Sequence, residues 1–203
     1  MGFYSRVLLP RLLDWSMSGE GFAHYRRTLL ADVKGDVLEI GFGTGLNLQH
    51  YPKGVSRLTV VDPNPGMATI AETRIAASPF AIDTQLLSSE ALPMADDTFD
   101  SVVSTWTLCS IPNIDQALQE IHRVLKPTGR FFFIEHGRSP DLSVQIWQDR
   151  LTPIQRVIAD GCHLNRPMQT LLERYFKVVT VDRFYAEGLP RIAGYMYRGV
   201  AAK

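Results

Sequence analysis

Glu39-Ile-Gly41-Phe-Gly43-Thr-Gly45 ends the apolar run Val37-Leu-Glu-Ile40 and leads into Leu46 to His50, where the turn is expected to open a helix. The apolar run has the length and character of a buried strand. Glycines between a strand and a helix let the backbone turn tightly and lie close to a ligand. A dinucleotide fingerprint begins in the same way, but its third glycine would fall at position 46, where Leu46 stands. The preceding acid separates the two cases chemically. A pyrophosphate is anionic and a carboxylate at its cradle repels it, whereas a ligand bearing cationic groups near this turn is favoured by Glu39. The other role open to Glu39 is to cap the loop.

Strand and helix signals alternate away from this turn. Leu58-Thr-Val-Val61 is a second strand, rich in β-branched residues, and Pro65 to Ala77 is helical. Ala81 to Leu87 and Ser101 to Thr105 supply two more strands. Asn113 and Gln116 have the spacing of a capping box, with Ile114, Leu118, Ile121 and Leu125 at helical intervals behind it. Phe131-Phe-Phe-Ile134 is apolar throughout, as a strand buried on both faces requires. Helical stretches follow near 144–158 and 168–176, and two late strands, 178–185 and 192–201, can pair antiparallel around Gly188-Leu-Pro190. The alternation predicts an α/β domain with a mostly parallel sheet and helices on both faces. Ligands on such sheets bind beyond the carboxyl ends of the strands, which gathers the loops after residues 40, 61, 87, 105 and 135 around one crevice.

Three groups are placed to meet a ligand there. Asp62 lies 21 residues after Gly41, near the interval at which an acid accepts ribose hydroxyls; the competing role is a turn-forming Asp before Pro63. Met67 can pack over an adenine face or simply join the core. Ser88, Ser89 and Glu90, after the third strand, can set a side-chain acceptor and a backbone amide against an adenine edge.

Composition narrows the class further. The chain has 203 residues, 45% hydrophobic and 21% charged, a balance that suits a single globular domain over 1–203. Lys plus Arg and Asp plus Glu both number 21, so no basic field exists to attract nucleic acid. Two cysteines, Cys109 and Cys162, form no disulfide framework and no metal-ligand spacing, and the five histidines show no zinc-type spacing; no metal site is expected. The expected compartment is the cytoplasm. Residues 1–30 are expected to form a helical lid or cap. Within them, residues 1–15 carry Phe3, Leu8, Leu9, Leu12, Leu13 and Trp15, which leaves weak peripheral membrane contact open. The oligomeric state is left open.

Taken together, Glu39 to Gly45, Asp62, the loop Ser88 to Pro93 and the turn Val124-Leu-Lys-Pro-Thr-Gly129 resemble the class I S-adenosylmethionine-dependent methyltransferases. The resemblance implies a Rossmann-like, seven-stranded, mostly parallel sheet with a C-terminal antiparallel strand pair. It also implies S-adenosyl-L-methionine as cofactor, held by Glu39, Gly41, Gly43, Gly45, Asp62, Met67, Ser88, Ser89, Glu90 and Thr105. A narrower set looks like the microsomal alkyl-thiol methyltransferase family: Thr105-Trp-Thr-Leu-Cys-Ser-Ile111, Glu135-His136, Asp160-Gly-Cys162-x-Leu164 and Gly194-Tyr195. That likeness implies a small, lipophilic thiol as methyl acceptor. The chain departs from that family in lacking its N-terminal hydrophobic anchor. Relatives of this pattern are also described as phospholipid or quinone-type methyltransferases, which leaves the acceptor open and gives the alternative of a methyltransferase working at a membrane surface.

On the acceptor side, His136 directly follows the fifth strand at the ligand end, and Asp160 and His163 can reach the same mouth from the late-helix loop. Each has a plain structural role as alternative: a histidine bonded to loop backbone, or an aspartate capping a turn before Gly161. Cys109 is read as a buried inert thiol, and Trp106 as pocket wall or core. A nicotinamide-dependent oxidoreductase is disfavoured by Leu46 and Glu39; a non-catalytic cofactor sensor remains a rival.

Overall fold

The computed structural model describes residues 2–203, so of the proposed N-terminal cap only Met1 lies outside the described residues. A π-helical turn, Tyr4–Leu8, leads into α1 (Leu9–Met17) and α2 (Glu20–Leu30). The sheet then builds through β1 (Gly35–Ile40), β2 (Val55–Val61), α3 (Pro65–Ala76), β3 (Ile82–Gln85) and β4 (Phe99–Thr105). It continues with α4 (Ile114–Val124), β5 (Leu125–His136), α5 (Leu142–Ile158) and α6 (Met168–Glu173). The chain closes with β6 (Val178–Tyr185), a single helical turn α7 (Arg191–Gly194) and β7 (Tyr195–Ala202).

The seven strands run β3-β2-β1-β4-β5-β7-β6. β1 to β5 are parallel, and β7 is antiparallel to both β5 and β6. The expected Rossmann-like sheet and its C-terminal ribbon are therefore present. The order reverses between β1 and β4, and the crevice forms outside that point.

β5 shows how sequence becomes layers. Successive side chains of a strand point to opposite faces. Phe131 and Phe133 enter the core shared with α4 and α6, while Phe132 and Ile134 enter the one shared with α2 and α3. The capping pattern is realised at α4, where the Asn113 side chain accepts from the Gln116 N–H. Ile114, Leu118 and Ile121 then lie on its buried face.

Three local expectations need correction. Leu125 does not extend α4 but opens β5. Leu46 to His50 opens no full helix, only a 3-10 turn at Leu48–His50. The last strand begins at Tyr195 rather than 192, because residues 191–194 coil into α7 to bring the ribbon round.

Leu118 is fully buried between α4 and the sheet. Leu118→Ala should therefore lower unfolding free energy by about 2–5 kcal/mol, measured by denaturant titration.

Candidate active site

The crevice holds a cavity of about 470 Å³, within the range of small-molecule sites. Its floor is the glycine turn. Gly41, Gly43 and Gly45 all have positive φ (+70°, +58° and +81°), a conformation that favours glycine. A Cβ on Gly43 would meet only the Gly41 carbonyl, at 4.0 Å, so this backbone can face a ligand closely, whereas a Cβ on Gly41 would overlap Thr107.

Of the sequence-derived site residues, Gly41, Gly43, Asp62, Met67, Ser88, Ser89, Thr105 and Asp160 line this cavity. Glu39, Gly45, Glu90, His136 and His163 do not. Each of these five has another occupation. Gly45 packs against the Phe42 ring behind the turn. Glu90 accepts from Ser88 Oγ at 2.9 Å and from the Asn113 N–H at 2.6 Å, joining the β3 loop to the start of α4. His163 points its Nδ1 at the Cys109 carbonyl, 3.2 Å away. His136 places Nε2 2.9 Å from Cys162 Sγ.

Glu39 is the most informative of the five. It is buried, and its two oxygens accept from Asn47 Nδ2 at 2.8 Å and Tyr51 Oη at 2.7 Å. Burial pushes its carboxyl up to about 7, against the lowering pull of those two hydrogen bonds and of Arg26. It therefore reaches the cavity only through Asn47, whose Nδ2 also donates to Thr105 Oγ1 at 3.1 Å. Asp62 binds its own loops: it accepts from the Gly43 N–H and the Asn64 N–H, both at 2.8 Å. Burial raises its pKa, and the charge of Asp160 opposite raises it further.

Arg26, unmarked in the sequence, and Trp106, expected there as pocket wall or core, complete the wall. Arg26 of α2 is buried, lies 4.9 Å from the Trp106 ring centre and donates to the Met17 carbonyl at 2.8 Å. Burial lowers its pKa to about 10. Trp106 itself has φ +52°, unusual for a bulky residue and the kind of local strain that concentrates at functional sites. Among the described residues, Arg26 Nε, Trp106 Nε1 and Asn47 Oδ1 are buried without a hydrogen-bond partner. All three residues line the cavity, and these two unsatisfied donors and one unsatisfied acceptor lie buried in its wall.

α1 closes the top. Leu9, Leu13 and Met17 face the cavity. Asp14 accepts from Thr44 Oγ1 at 2.6 Å and from Arg74 Nη1 at 2.7 Å. Ser5 bridges both sides: its carbonyl accepts from Asn64 Nδ2 at 2.8 Å, and its Oγ donates to Asp160 at 3.4 Å.

Residues 38–133 match the family described as "Methyltransferase domain". The chain is 38% identical to thiol S-methyltransferase TMT1B of Rattus norvegicus over 146 residues, 68% of this chain and 59% of the rat protein. It is 35% identical to the Homo sapiens TMT1B over 174 residues, 78% of this chain and 70% of that protein. A demethylmenaquinone methyltransferase of Symbiobacterium thermophilum is 40% identical over 109 residues, 50% of this chain and 43% of that protein. In fold, an S-adenosylmethionine-dependent methyltransferase from Thermotoga maritima superposes with TM-score 0.70 at 19% identity, covering 98% of this chain and 97% of that one.

The raised Glu39 pKa fixes a sign for pH dependence. Between about 4.5 and 7 the unfolded chain has lost this proton while the folded one keeps it, so stability falls as pH rises through that window. Glu39→Gln removes the titration. Comparing denaturation of both proteins at pH 4.5 and 7.5, the variant should gain on the parent by up to about 3 kcal/mol at the higher pH.

Proposed function

The chain belongs to the class I S-adenosylmethionine-dependent methyltransferases, and from that premise we propose that it transfers a methyl group to a small, lipophilic thiol. The carrying observation is the set of unpartnered polar atoms at Arg26, Trp106 and Asn47 in the wall of a cleft whose lining also offers Asp62 and Asp160. Those atoms fit the amino-acid end of S-adenosyl-L-methionine: Arg26 and the Trp106 N–H would take its carboxylate, and Asn47 Oδ1 its ammonium. Asp62 would hold the ribose hydroxyls, and Met67 with Ser88 and Ser89 the adenine. When bound, the donor supplies an electrophilic methyl on a sulfonium.

The chain's own task is then alignment and water exclusion. Leu13 and Met17 cover the cleft from above, and Ile111, Pro112 and Ala159 line it on the side of Asp160. Arg26, Asp62 and Asp160 are the ionisable side chains among the cavity-lining residues. Asp160 stands at the exposed mouth with φ +46°, directly before Gly161. A thiol has a pKa of about 8.5 and is a strong nucleophile once ionised, so it needs little more than a proton acceptor at the entrance. In this reading Asp160 fills that place, and His136 and His163 support the wall from behind it. The likeness to the thiol S-methyltransferases of rat and human favours a thiol.

Calorimetry should show saturable binding of S-adenosylmethionine and its demethylated product, weakened at least about tenfold by Arg26→Leu. A panel of alkyl thiols, hydrogen sulfide, amines, catechols and quinols with labelled donor should give transfer to thiols first. Asp160→Asn should lower kcat at neutral pH more than at pH 9. A panel in which only quinols or lipids accept the methyl would move the acceptor to the alternative class.

That alternative, a quinone or phospholipid acceptor met at a membrane surface, has its own support. Among the described residues no helix is long and apolar enough to cross a membrane. Phe3, Leu8, Leu12 and Trp15 are nevertheless exposed beside the N-terminal turn, and Leu142, Trp147, Ile154 and Val157 along α5. Tyr4 Oη donates to the Ile158 carbonyl at 2.7 Å, which ties the two segments together. Arg6, Arg11, Arg150 and Arg156 are exposed on the same segments, as anionic headgroups would require. The proposed location is the cytoplasm, where buried free thiols such as Cys109 and Cys162 persist, with peripheral membrane contact through residues 1–15. Co-sedimentation with anionic vesicles should fall when Trp15 and Val157 are changed to Ser; equal pelleting of parent and variant removes the membrane contact.

A further inference from the structure

Cys109, His136 and Cys162 come from two loops and the end of a strand, yet each offers a ligand atom within 4.8 Å of the others. Cys109 follows β4, His136 ends β5 and Cys162 follows α5. We propose that these three side chains bind one zinc-class divalent cation, which ties together the loops that wall the acceptor end of the cleft.

The donor set suits that ion. Two thiolates and an imidazole are ligands for a borderline-soft, tetrahedral metal and form the protein part of known three-ligand zinc sites with one position left for water. Bonds of about 2.3 Å to sulfur and about 2.0 Å to nitrogen put such ligand atoms roughly 3.5–3.8 Å apart. Small rotations about the Cys and His side chains bridge from the observed spacing to that one.

The surroundings suit it as well. Both cysteines are buried. The His136 ring has Cys162 Sγ as its neighbour through Nε2, and its buried Nδ1 has no partner among the described residues. Two thiolates neutralise a dication, so the filled site carries no net charge into the interior. The nearest fixed charges also cancel. Glu135 accepts from the Cys109 N–H at 3.3 Å, and Arg166 donates to the Ile111 carbonyl at 2.6 Å and to the Leu108 carbonyl. Ser110 and Gly161, the chain neighbours of the two cysteines, line the cleft, so the tie sits directly behind its wall. The two loops already meet there through the His163 N–H and the Cys109 carbonyl at 2.9 Å.

The test is reconstitution of the reduced, chelator-treated full chain with Zn2+ or Co2+. About one metal per chain is expected by elemental analysis, with thiolate-to-Co2+ charge-transfer absorbance. Zn2+ should also raise Tm by about 5–10 °C at saturation. Cys109→Ser and Cys162→Ser should abolish the charge-transfer signal, and His136→Ala should weaken affinity at least about tenfold. Should these variants fail to fold, protection of both thiols from alkylation by Zn2+ in the unaltered chain gives the same answer. Full thiol reactivity in saturating Zn2+ overturns the proposal. So does a Cys109–Cys162 disulfide that forms on oxidation in a chain taking up no metal, or metal uptake unchanged in the double Cys→Ser variant.

Discussion

Glu135 is the group on which the cleft's architecture turns. At the end of β5 its fully buried carboxylate accepts from Ser104 Oγ at 3.0 Å and from the N–H groups of Thr107, Leu108 and Cys109 at 2.9, 3.0 and 3.3 Å. The chain leaving β4 cannot satisfy those donors itself, because the positive φ of Trp106 turns it out of the strand. Three buried N–H groups without acceptors would cost about 1–3 kcal/mol each. One side chain on the neighbouring strand answers all of them, and in doing so sets the path of the loop that carries Trp106, Thr107 and Ser110 to the cavity.

Glu39 repeats the arrangement one strand away. It too is buried, and it too acts by holding a loop, through Asn47 and Tyr51. The acid before the glycine turn was read in the sequence as the partner of a cationic ligand. In the structure Glu39 instead holds Asn47 and Tyr51, so under the proposed function the direct contacts pass to Asn47 and Arg26, and Glu39, once ionised, lowers the cost of keeping Arg26 inside. Charge matching still describes the site, but it is spread over an acid, an amide and a guanidinium.

What could be read in the sequence was local. Apolar runs gave β1, β2, β4 and β5, the Asn113 cap gave the start of α4, and the glycine spacing gave the tight turn after β1. Those features depend on neighbours in the chain. Arg26 could not be found in that way, because it sits in an amphipathic helix and acquires its role only when α2 lays it against Trp106. The meeting of Cys109, His136 and Cys162 was hidden for the same reason: 26 to 53 residues separate them along the chain, and only the β4–β5 pairing and the return of α5 bring them together. His136 was placed correctly at the end of its strand, but its ring turns toward Cys162 instead of the cavity. A strand's terminus can be inferred from apolar periodicity; the rotation of its last side chain depends on packing.

Ser5 carries a consequence for the cover of the cleft. One residue of the cover clips to Asn64 on one rim and to Asp160 on the other. The cover therefore touches the rim that carries Asp62 and the rim that carries Asp160 through one residue, so a displacement of the π-helical turn at Tyr4–Leu8 would disturb both contacts together.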